Sequence, residues 1–366
     1  MSQLAVAIVG LPNVGKSTLF NALLARQQAY VANFPFATIE PNIGVVPVPD
    51  IRLKKLAEVV NNTENMDSLP PEVPSTVEFV DVAGLIAGAH KGEGLGNKFL
   101  SHIRETDAVC HVVRAFSDPN IIKEGVTDPK TDFETVETEL KLADLQTVEN
   151  QNLKVKKQNC NAKFKSAIDK LYRGLQKNSP AREADLDDQE VQEARQLTLL
   201  TAKPVLVVLN VDEDDLRDST KLELKFAQEV GVHSHQVIAI SAKVESELTS
   251  LSESDQKTYL VSLGVKESGL ERLITKAFET LGLITFLTAG VKEVRAWTVP
   301  KNSRAQDAAG VIHTDFVKNF IKADVVDYKD FISLGWKRAR EEGKVRSEGK
   351  DYILHDGEVV EFKIGS

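Results

Sequence analysis

The sequence predicts an α/β protein whose main domain is built on a largely parallel sheet. Short apolar, often β-branched runs alternate with segments of helical spacing, and this alternation is typical of parallel sheets. Two changes of composition mark further parts: a polar, strand-free stretch at 130–203 and short alternating segments from 283 onward. We therefore expect an inserted helical arm and a small β-rich C-terminal domain.

The predicted strands of the sheet domain are apolar enough for burial on both faces. They cover residues 4–9, 43–48, 76–80, 108–113, 204–209 and 236–240, and a helix is predicted to begin near Lys16. The resulting division places the sheet domain at 1–129 and 204–282, the arm at 130–203 and the C-terminal domain at 283–366.

The arm is predicted to be a pair of long helices with a turn at Asn178-Ser179-Pro180, because proline disfavours helix in the residue before it. In the C-terminal domain the alternating segments predict strands at 296–299, 316–321, 352–354 and 359–362, with a turn at Asp356-Gly357. Trp297, Phe316, Tyr328 and Trp336 are expected to be core residues of this domain rather than stacking surfaces for bases.

Composition excludes several classes of protein. The chain has 366 residues, 42% hydrophobic and 27% charged, and a formal net charge of -9, which disfavours electrostatic attachment of the whole molecule to nucleic acid or anionic lipid. Two cysteines, Cys110 and Cys160, are too few for a thiolate zinc site or a disulfide framework. Neither a membrane-length apolar run nor a signal peptide is evident, so we expect a cytoplasmic protein with no membrane partner.

Residues 10–17 form a phosphate-binding loop of the pattern Gly-x-x-x-x-Gly-Lys-Ser, placed after a strand and before a helix. Glycines let the backbone wrap closely around phosphate, the helix N-terminus offers free N–H groups, and Lys16 neutralises the β- and γ-oxygens. Ser17 would supply a hydroxyl to Mg²⁺. The expected phosphate-binding residues are Asn13, Val14, Gly15, Lys16, Ser17 and Thr18.

Asp81-Val-Ala-Gly84 follows a predicted strand and resembles the switch motif of GTPases. Asp81 would hold Mg²⁺ through water, and the Gly84 amide would approach a γ-phosphate. Thr38 lies in the loop between the two motifs, where its hydroxyl can join the magnesium shell. The predicted metal residues are therefore Ser17, Thr38 and Asp81.

The base-reading segment departs from the Asn-Lys-x-Asp motif of GTPases and reads Asn210-Val-Asp-Glu213. Adenine lacks the N1–H and 2-amino donors that a guanine-reading carboxylate needs, so a displaced Glu213 removes the preference for guanine. Asn210 could accept from the 6-amino group, Val211 offers apolar surface, and Ser241 with Ala242 would close the other side. ATP is expected over GTP, although Asp212 as a slipped specificity residue keeps GTP as an alternative.

Four stretches, at 33–42, 91–97, 210–213 and 308–316, resemble the YchF family of Obg-like ATPases, and the resemblance covers essentially the whole chain. It implies a translation-factor-type GTPase fold that prefers ATP, a helical coiled-coil arm and a C-terminal TGS domain. It also implies association with ribosomes and a role in translation or stress responses.

Hydrolysis needs a group that orients the attacking water, and Leu85 stands where Ras-like enzymes have glutamine. His90, His102 and His111 are candidates. We favour His111, because its strand is expected to run beside Asp81 and because the family carries a histidine in this context. The alternative is a structural histidine. The expected catalytic residues are Lys16, Gly84 and His111, and turnover should be slow.

Asn13 suggests a second cation. Several phosphate-loop GTPases with asparagine at this position coordinate K⁺ against the nucleotide phosphates. The alternative is an asparagine that only stabilises the loop.

The arm carries a basic stripe of Lys154, Lys156, Lys157, Lys163, Lys165, Lys170, Arg173 and Lys177. Such a stripe can contact RNA phosphates, so a ribosome or ribosomal RNA is expected to bind through the arm and the TGS domain. The alternatives are a solvated helix face, or pairing with the acidic segment 183–193. We expect a monomer that acts as an ATP-driven switch, or else a nucleotide-gated binding module whose hydrolysis is incidental.

Overall fold

The computed structural model describes residues 4–33, 42–82, 95–117, 128–157 and 161–365. They form two compact units. The parallel-sheet unit contains residues 4–46 and 78–276, and the mixed-sheet unit contains residues 47–77 and 277–365.

The described strands match most of those predicted for the sheet domain and extend those of the C-terminal part. They are β1 (Ala5–Val9), β2 (Ile43–Pro47), β3 (Glu72–Val73), β4 (Thr76–Asp81), β5 (Ala108–Arg114), β6 (Val205–Asn210), β7 (Val237–Ile240), β8 (Leu283–Ala289), β9 (Val294–Pro300), β10 (Phe320–Val326), β11 (Arg346–Glu348) and β12 (Val359–Ile364).

The described helices are α1 (Lys16–Asn33), α2 (Arg52–Glu64), α3 (Leu95–Glu105), α4 (Pro129–Lys157), α5 (Ala162–Gln176), α6 (Asp188–Ala194), α7 (Ser219–Val230), α8 (Ala242–Leu248), α9 (Glu253–Ser262), α10 (Gly269–Thr280), α11 (Ala305–Ile312), α12 (Thr314–Lys318) and α13 (Tyr328–Glu341). Among them, none combines the length and the apolar content needed to span a lipid bilayer.

The parallel-sheet unit is organised around one sheet with the strand order β2-β4-β1-β5-β6-β7. β1 pairs in parallel with β4 and β5, and β5, β6 and β7 continue the parallel arrangement. Every residue of β1 and of β5 is buried, as expected for strands covered by helices on both faces. The predicted α/β class with a mainly parallel sheet is confirmed, and the carboxyl ends of these strands meet at one edge.

The arm region contains two long helices, but their boundary differs from the predicted one. α4 ends at Lys157 and α5 begins at Ala162, so Asn178-Pro180 follows the second long helix instead of separating the two. The predicted position of the tip is therefore wrong. Asn178 does form a turn, with a left-handed φ of 63°.

Acidic residues after that turn pair with the basic stripe of α5. Lys163 Nζ lies 2.5 Å from Asp187 Oδ2, and Lys170 Nζ lies 2.7 Å from Glu190 Oε2. Asp187 and Glu190 also form a capping box that begins α6. For Lys163 and Lys170, the structure therefore shows pairing with the acidic segment 183–193, which was one of the alternatives to RNA contact.

Residues 47–77 belong to the mixed-sheet unit, whereas the sequence-based division placed them in the sheet domain. The physical reason is burial. The apolar side of α2, with Leu53 and Leu56, packs in one cluster with Leu287, Val294 and Phe331. β3 adds a parallel strand beside β9.

The mixed-sheet unit is β-rich, with the strand order β11-β10-β12-β8-β9-β3. Its strands at 296–299 and 359–362 are found within β9 and β12, and β8 was not predicted. The predicted strand 316–321 is wrong over its first half, because the His313 side chain accepts a hydrogen bond from the Asp315 amide and begins α12. The predicted strand 352–354 reduces to one bridge between Ile353 and Arg304, since Tyr352 closes a turn onto Gly349.

Gly335 lies inside α13 and contacts α2, so a substitution there tests how closely the two helices pack. Its φ of 64° and ψ of 177° suit glycine alone, and an added Cβ would lie 2.8 Å from the Thr63 methyl group. We expect Gly335→Ala to lower the free energy of unfolding by about 1–3 kcal/mol. Urea denaturation followed by circular dichroism measures this.

The matched control is Gly174→Ala in α5, where an added Cβ meets nothing within 4 Å. This change should raise the free energy of unfolding by about 0.5–1 kcal/mol, because alanine favours helix. Equal effects of the two substitutions would contradict the account of Gly335.

Candidate functional site

The phosphate loop occupies the turn between β1 and α1, as its motif requires. β1 ends at Val9 and α1 begins at Lys16. Within the loop, Asn13 and Gly15 both have positive φ values, 63° and 92°. A Cβ on Gly15 would overlap Nδ2 of Asn210, so glycine is needed here for a close approach as well as for its conformation.

Lys16 and Asp81 place opposite charges close together beside this loop. Lys16 is only 8% exposed, and its Nζ donates a hydrogen bond of 2.9 Å to the Val82 carbonyl. Burial lowers the pKa of Lys16, and Asp81 opposes that shift. Burial likewise raises the pKa of Asp81, with Lys16 opposing it. Because burial disfavours the charged form of both side chains, an anion bound beside Lys16 and a cation bound beside Asp81 would stabilise them.

The donor set fits a hydrated divalent cation. Asp81 ends β4, and its Oδ1 is buried with no hydrogen-bond partner in the described ranges. Ser17 is exposed in the first turn of α1, so its hydroxyl is accessible. A carboxylate oxygen and a hydroxyl are ligands that Mg²⁺ accepts alongside water and phosphate. Within the described residues, no group of three His, Cys, Asp or Glu side chains forms a metal site of its own.

Asn210 connects the phosphate loop to the opposite wall. Its Nδ2 donates to the Val14 carbonyl, and its Oδ1 accepts from the Ala242 amide, both at 2.9 Å. The side chain lies at the end of β6 and the residue is 5% exposed. One donor and one lone pair of the amide are used, so one of each remains for a ligand.

A cleft of about 1970 Å³ opens over these groups. Its lining brings together most of the predicted binding residues: Asn13, Gly15, Lys16, Ser17, Thr18, Asn210, Val211, Glu213, Ser241 and Ala242. Val14 is buried, and its carbonyl accepts the hydrogen bond from Asn210.

Phe116 and Ser117 also line the cleft, and sequence reasoning missed both. The Ser117 amide donates to Asp212 Oδ2 at 2.9 Å. The Arg114 guanidinium lies 4.5 Å from the centre of the Phe116 ring. The available signal was their position directly after β5, at the same sheet edge as the phosphate loop.

Comparison of the chain with known proteins identifies its family. The model of 50S ribosome-binding GTPases matches residues 5–151, and the C-terminal YchF GTPase model, described as a protein of unknown function (DUF933), matches residues 283–365. The ribosome-binding ATPase YchF of Bacillus subtilis strain 168 is 47% identical, covering 98% of this chain and 99% of that protein. The chain belongs to the YchF family.

Further members of the YchF family are similar to this chain over nearly its whole length. The ribosome-binding ATPase YchF of Haemophilus influenzae is 47% identical, over 97% of this chain and 98% of its own length. The solved structure of the Schizosaccharomyces pombe YchF GTPase has a TM-score of 0.85 and 35% identity, with 99% of this chain and 98% of that chain covered. The family resemblance and the P-loop GTPase fold expected from sequence are therefore confirmed.

His111 occupies a buried position in this YchF-family chain. It is 0% exposed, lies in β5 and is not among the residues that line the cleft. Its Nε2 lies 3.4 Å from Glu137 Oε1, and its ring centre lies 4.9 Å from that of Phe133. The expectation that its strand runs beside Asp81 is wrong, because β1 lies between β4 and β5. His111 is instead in register with Val9, one residue before the phosphate loop.

Several predicted residues lie outside the described ranges. They are Thr38, Gly84, Leu85 and His90. His102 is described, and it is exposed near the end of α3.

Asn210→Ala tests the connection between the walls of the cleft. We expect the affinity for both ATP and GTP to fall, on the order of tenfold to a hundredfold, because two buried backbone groups lose their partner. Isothermal titration calorimetry with each nucleotide measures this. An unchanged affinity for GTP would show that Asn210 acts on the base alone.

Proposed function

We infer that this chain is a Mg²⁺-dependent ATPase that binds ATP in preference to GTP, hydrolyses it slowly and acts as a switch. The observation that supports the base preference most directly is the engagement of Asp212. Its Oδ2 accepts from the Ser117 amide, so this carboxylate is committed to the cleft wall and is poorly placed to read guanine. Glu213 stands at the usual guanine-reading position with a longer side chain and begins a 3₁₀ turn.

The adenine edge has suitable partners in the same wall. The remaining lone pair of Asn210 Oδ1 accepts from the 6-amino group in this proposal. Val211 is buried beside the cleft and offers apolar surface to the ring. Ser241 and Ala242 close the opposite side at the start of α8.

The phosphate chain lies along the loop and the N-terminus of α1. Lys16 exchanges its hydrogen bond to the Val82 carbonyl for the β- and γ-phosphate oxygens. Ser17 and Asp81, together with Thr38 from outside the described ranges, would hold Mg²⁺, and the Gly84 amide, also outside them, would contact the γ-phosphate. When bound, Mg²⁺ neutralises the charge that develops on these oxygens.

For hydrolysis, His111 is the proposed group that accepts a proton from the attacking water. This role requires the buried ring to gain access to the cleft when nucleotide binds, because general-base geometry often tightens only in the substrate complex. Turnover is slow, since Leu85 replaces the orienting glutamine and no arginine finger is evident in the sequence.

The proposed partner is the ribosome, since both named bacterial relatives are ribosome-binding ATPases. The arm offers exposed lysines for RNA phosphates at Lys154, Lys165 and Lys177, whereas Lys163 and Lys170 are paired with acids. We also propose that the C-terminal domain acts as a TGS domain and that the protein is a monomer that works in the cytoplasm. The alternative hypothesis is a nucleotide-gated binding module whose hydrolysis is incidental. A variant that binds ATP without hydrolysing it and still keeps full cellular function would support this alternative.

The base preference is tested by calorimetry with ATP and GTP in the presence of Mg²⁺. We expect ATP to bind at least about tenfold more tightly. Asp212→Asn is the control: asparagine still accepts from the Ser117 amide, so both affinities should stay within about threefold of the parent values. Tighter GTP binding by the parent, lost in Asp212→Asn, would establish a conventional GTPase instead.

The K⁺ hypothesis for Asn13 is tested by exchanging K⁺ for Na⁺ during single-turnover hydrolysis. We expect a slower rate in Na⁺ for the parent protein. Asn13→Gly keeps the left-handed backbone at φ 63° but removes the side-chain oxygen, so its rate should be insensitive to the exchange. If the parent is equally insensitive, Asn13 serves only the loop conformation.

A further inference from the structure

We propose that a second cavity of the parallel-sheet unit binds a small amphiphilic anion, either a carboxylate or a phosphate monoester that carries an apolar chain. The cavity has a volume of about 730 Å³ and lies among the end of α3, helix α5 and the segment 181–204. Among the described residues, none lines both this cavity and the nucleotide cleft. The inference therefore goes beyond the proposed ATPase function and does not rest on it.

The inner wall of this cavity is apolar. Leu171, Ala181 and Leu199 are buried members of one hydrophobic cluster, and Leu186 and Ala194 pack against that cluster. All five line the cavity. Transfer of an alkyl chain from water onto such a wall is favourable, and the volume lies within the range of small-molecule sites, about 300–1,000 Å³.

Basic side chains stand around this wall without countercharges. Arg104, Arg195 and Lys203 line the cavity, and within the described ranges no carboxylate lies within 4 Å of their cationic groups. Arg104 Nη2 makes only a long contact of 3.4 Å with the Thr147 hydroxyl. Arg182, the fourth basic residue of the lining, differs because Glu137 pairs with it at 3.0 Å. Unpaired cations beside an apolar wall favour a ligand that carries an anionic group.

Lys203 would gain most directly from such a ligand. Its Nζ donates to the Arg104 and Thr106 carbonyls at the end of α3. Burial lowers the pKa of Lys203, Asp107 and Asp144 oppose that shift, and Arg104 adds to it. An ammonium group has three N–H donors, so one remains for a ligand. A carboxylate or phosphate in the cavity would stabilise the charged form of this lysine.

Two acidic side chains also line the cavity, and they limit the charge of the ligand. Asp107 Oδ2 accepts from the Ala5 amide at 2.9 Å, so this carboxylate is committed to the backbone of β1. Glu105 is exposed at the end of α3. Both acids repel further negative charge, so a ligand with one anionic group fits better than a polyanion such as RNA. An RNA backbone also offers no apolar group to the inner wall.

Isothermal titration calorimetry of the full chain with octanoate and with monooctyl phosphate is the direct test. We expect at least one of them to bind with a dissociation constant of about 1 mM or lower. 1-Octanol lacks the anion, and acetate and inorganic phosphate lack the chain, so each should bind at least about tenfold more weakly. Binding of only one amphiphile would assign the site to its anionic group. Failure of both, or equal binding of 1-octanol, would overturn the proposal.

Arg195→Gln tests the contribution of charge. Arg195 is exposed and makes no side-chain hydrogen bond to a described residue, so its replacement should not impair folding. We expect the affinity for the bound amphiphile to fall on the order of tenfold. Arg173→Gln is the matched control, because it makes the same change at a side chain that is 72% exposed on α5, outside the cavity lining. Equal losses in the two variants would overturn the role of the basic side chains.

Val191→Asp tests the apolar wall. Val191 lies on α6, lines the cavity and is 40% exposed, so the fold should tolerate aspartate. The added carboxylate should lower the affinity at least about tenfold, because it repels the anion and desolvates poorly against the chain. Val261→Asp on α9, at a residue that is 75% exposed, should keep the parent affinity. Parent affinity in Val191→Asp would place the ligand elsewhere and overturn the proposal.

Competition measurements locate the bound amphiphile. Saturating ADP with Mg²⁺ should leave its affinity unchanged, because the two cavities share no described residue. Displacement by ADP would assign the amphiphile to the nucleotide cleft, which would overturn this inference while supporting nucleotide binding. Binding of a single-stranded RNA oligonucleotide that depends on Arg195, without binding of either amphiphile, would replace the proposal by RNA contact.

Discussion

The two hydrogen bonds of the Asn210 side chain are the interaction on which the candidate site depends. They join the Val14 carbonyl of the phosphate loop to the Ala242 amide at the start of α8, both at 2.9 Å. The three residues are far apart in sequence and meet because the parallel sheet brings the ends of β1, β6 and β7 to one edge. Gly15 completes the contact, since any side chain there would overlap Asn210. Losing this amide would leave two buried backbone groups unpaired.

The same edge of the sheet carries two charged groups, Lys16 and Asp81, that only partly compensate each other. Lys16 bonds to the Val82 carbonyl, and Asp81 keeps a buried oxygen unpartnered within the described residues. Burial disfavours the charged form of each, and each partly compensates the other. A nucleoside triphosphate with Mg²⁺ would supply a strong anion for the lysine and a cation for the carboxylate. Such a ligand would therefore stabilise both charges at once.

The chain alternates between the two compact units of this YchF-family protein. It leaves the parallel-sheet unit at the end of β2, contributes α2 and β3 to the mixed-sheet unit, and returns within β4, which ends at Asp81. The Glu137–Arg182 contact likewise joins α4 to the turn after α5 and ends at His111 in β5.

Local sequence was sufficient for the phosphate loop, the strands of the parallel sheet and the departure from the guanine-reading motif. Those features depend on residue type and spacing within one segment, where apolar β-branched runs, glycines and a lysine leave few alternatives. The order of the strands was decided only by tertiary packing, so the expected neighbourhood of His111 and Asp81 failed once β1 lay between them. The same holds for residues 47–77, for Phe116 and Ser117 in the cleft, and for Glu137 beside His111. Each of these depends on contacts between distant segments, which no periodicity along the chain records.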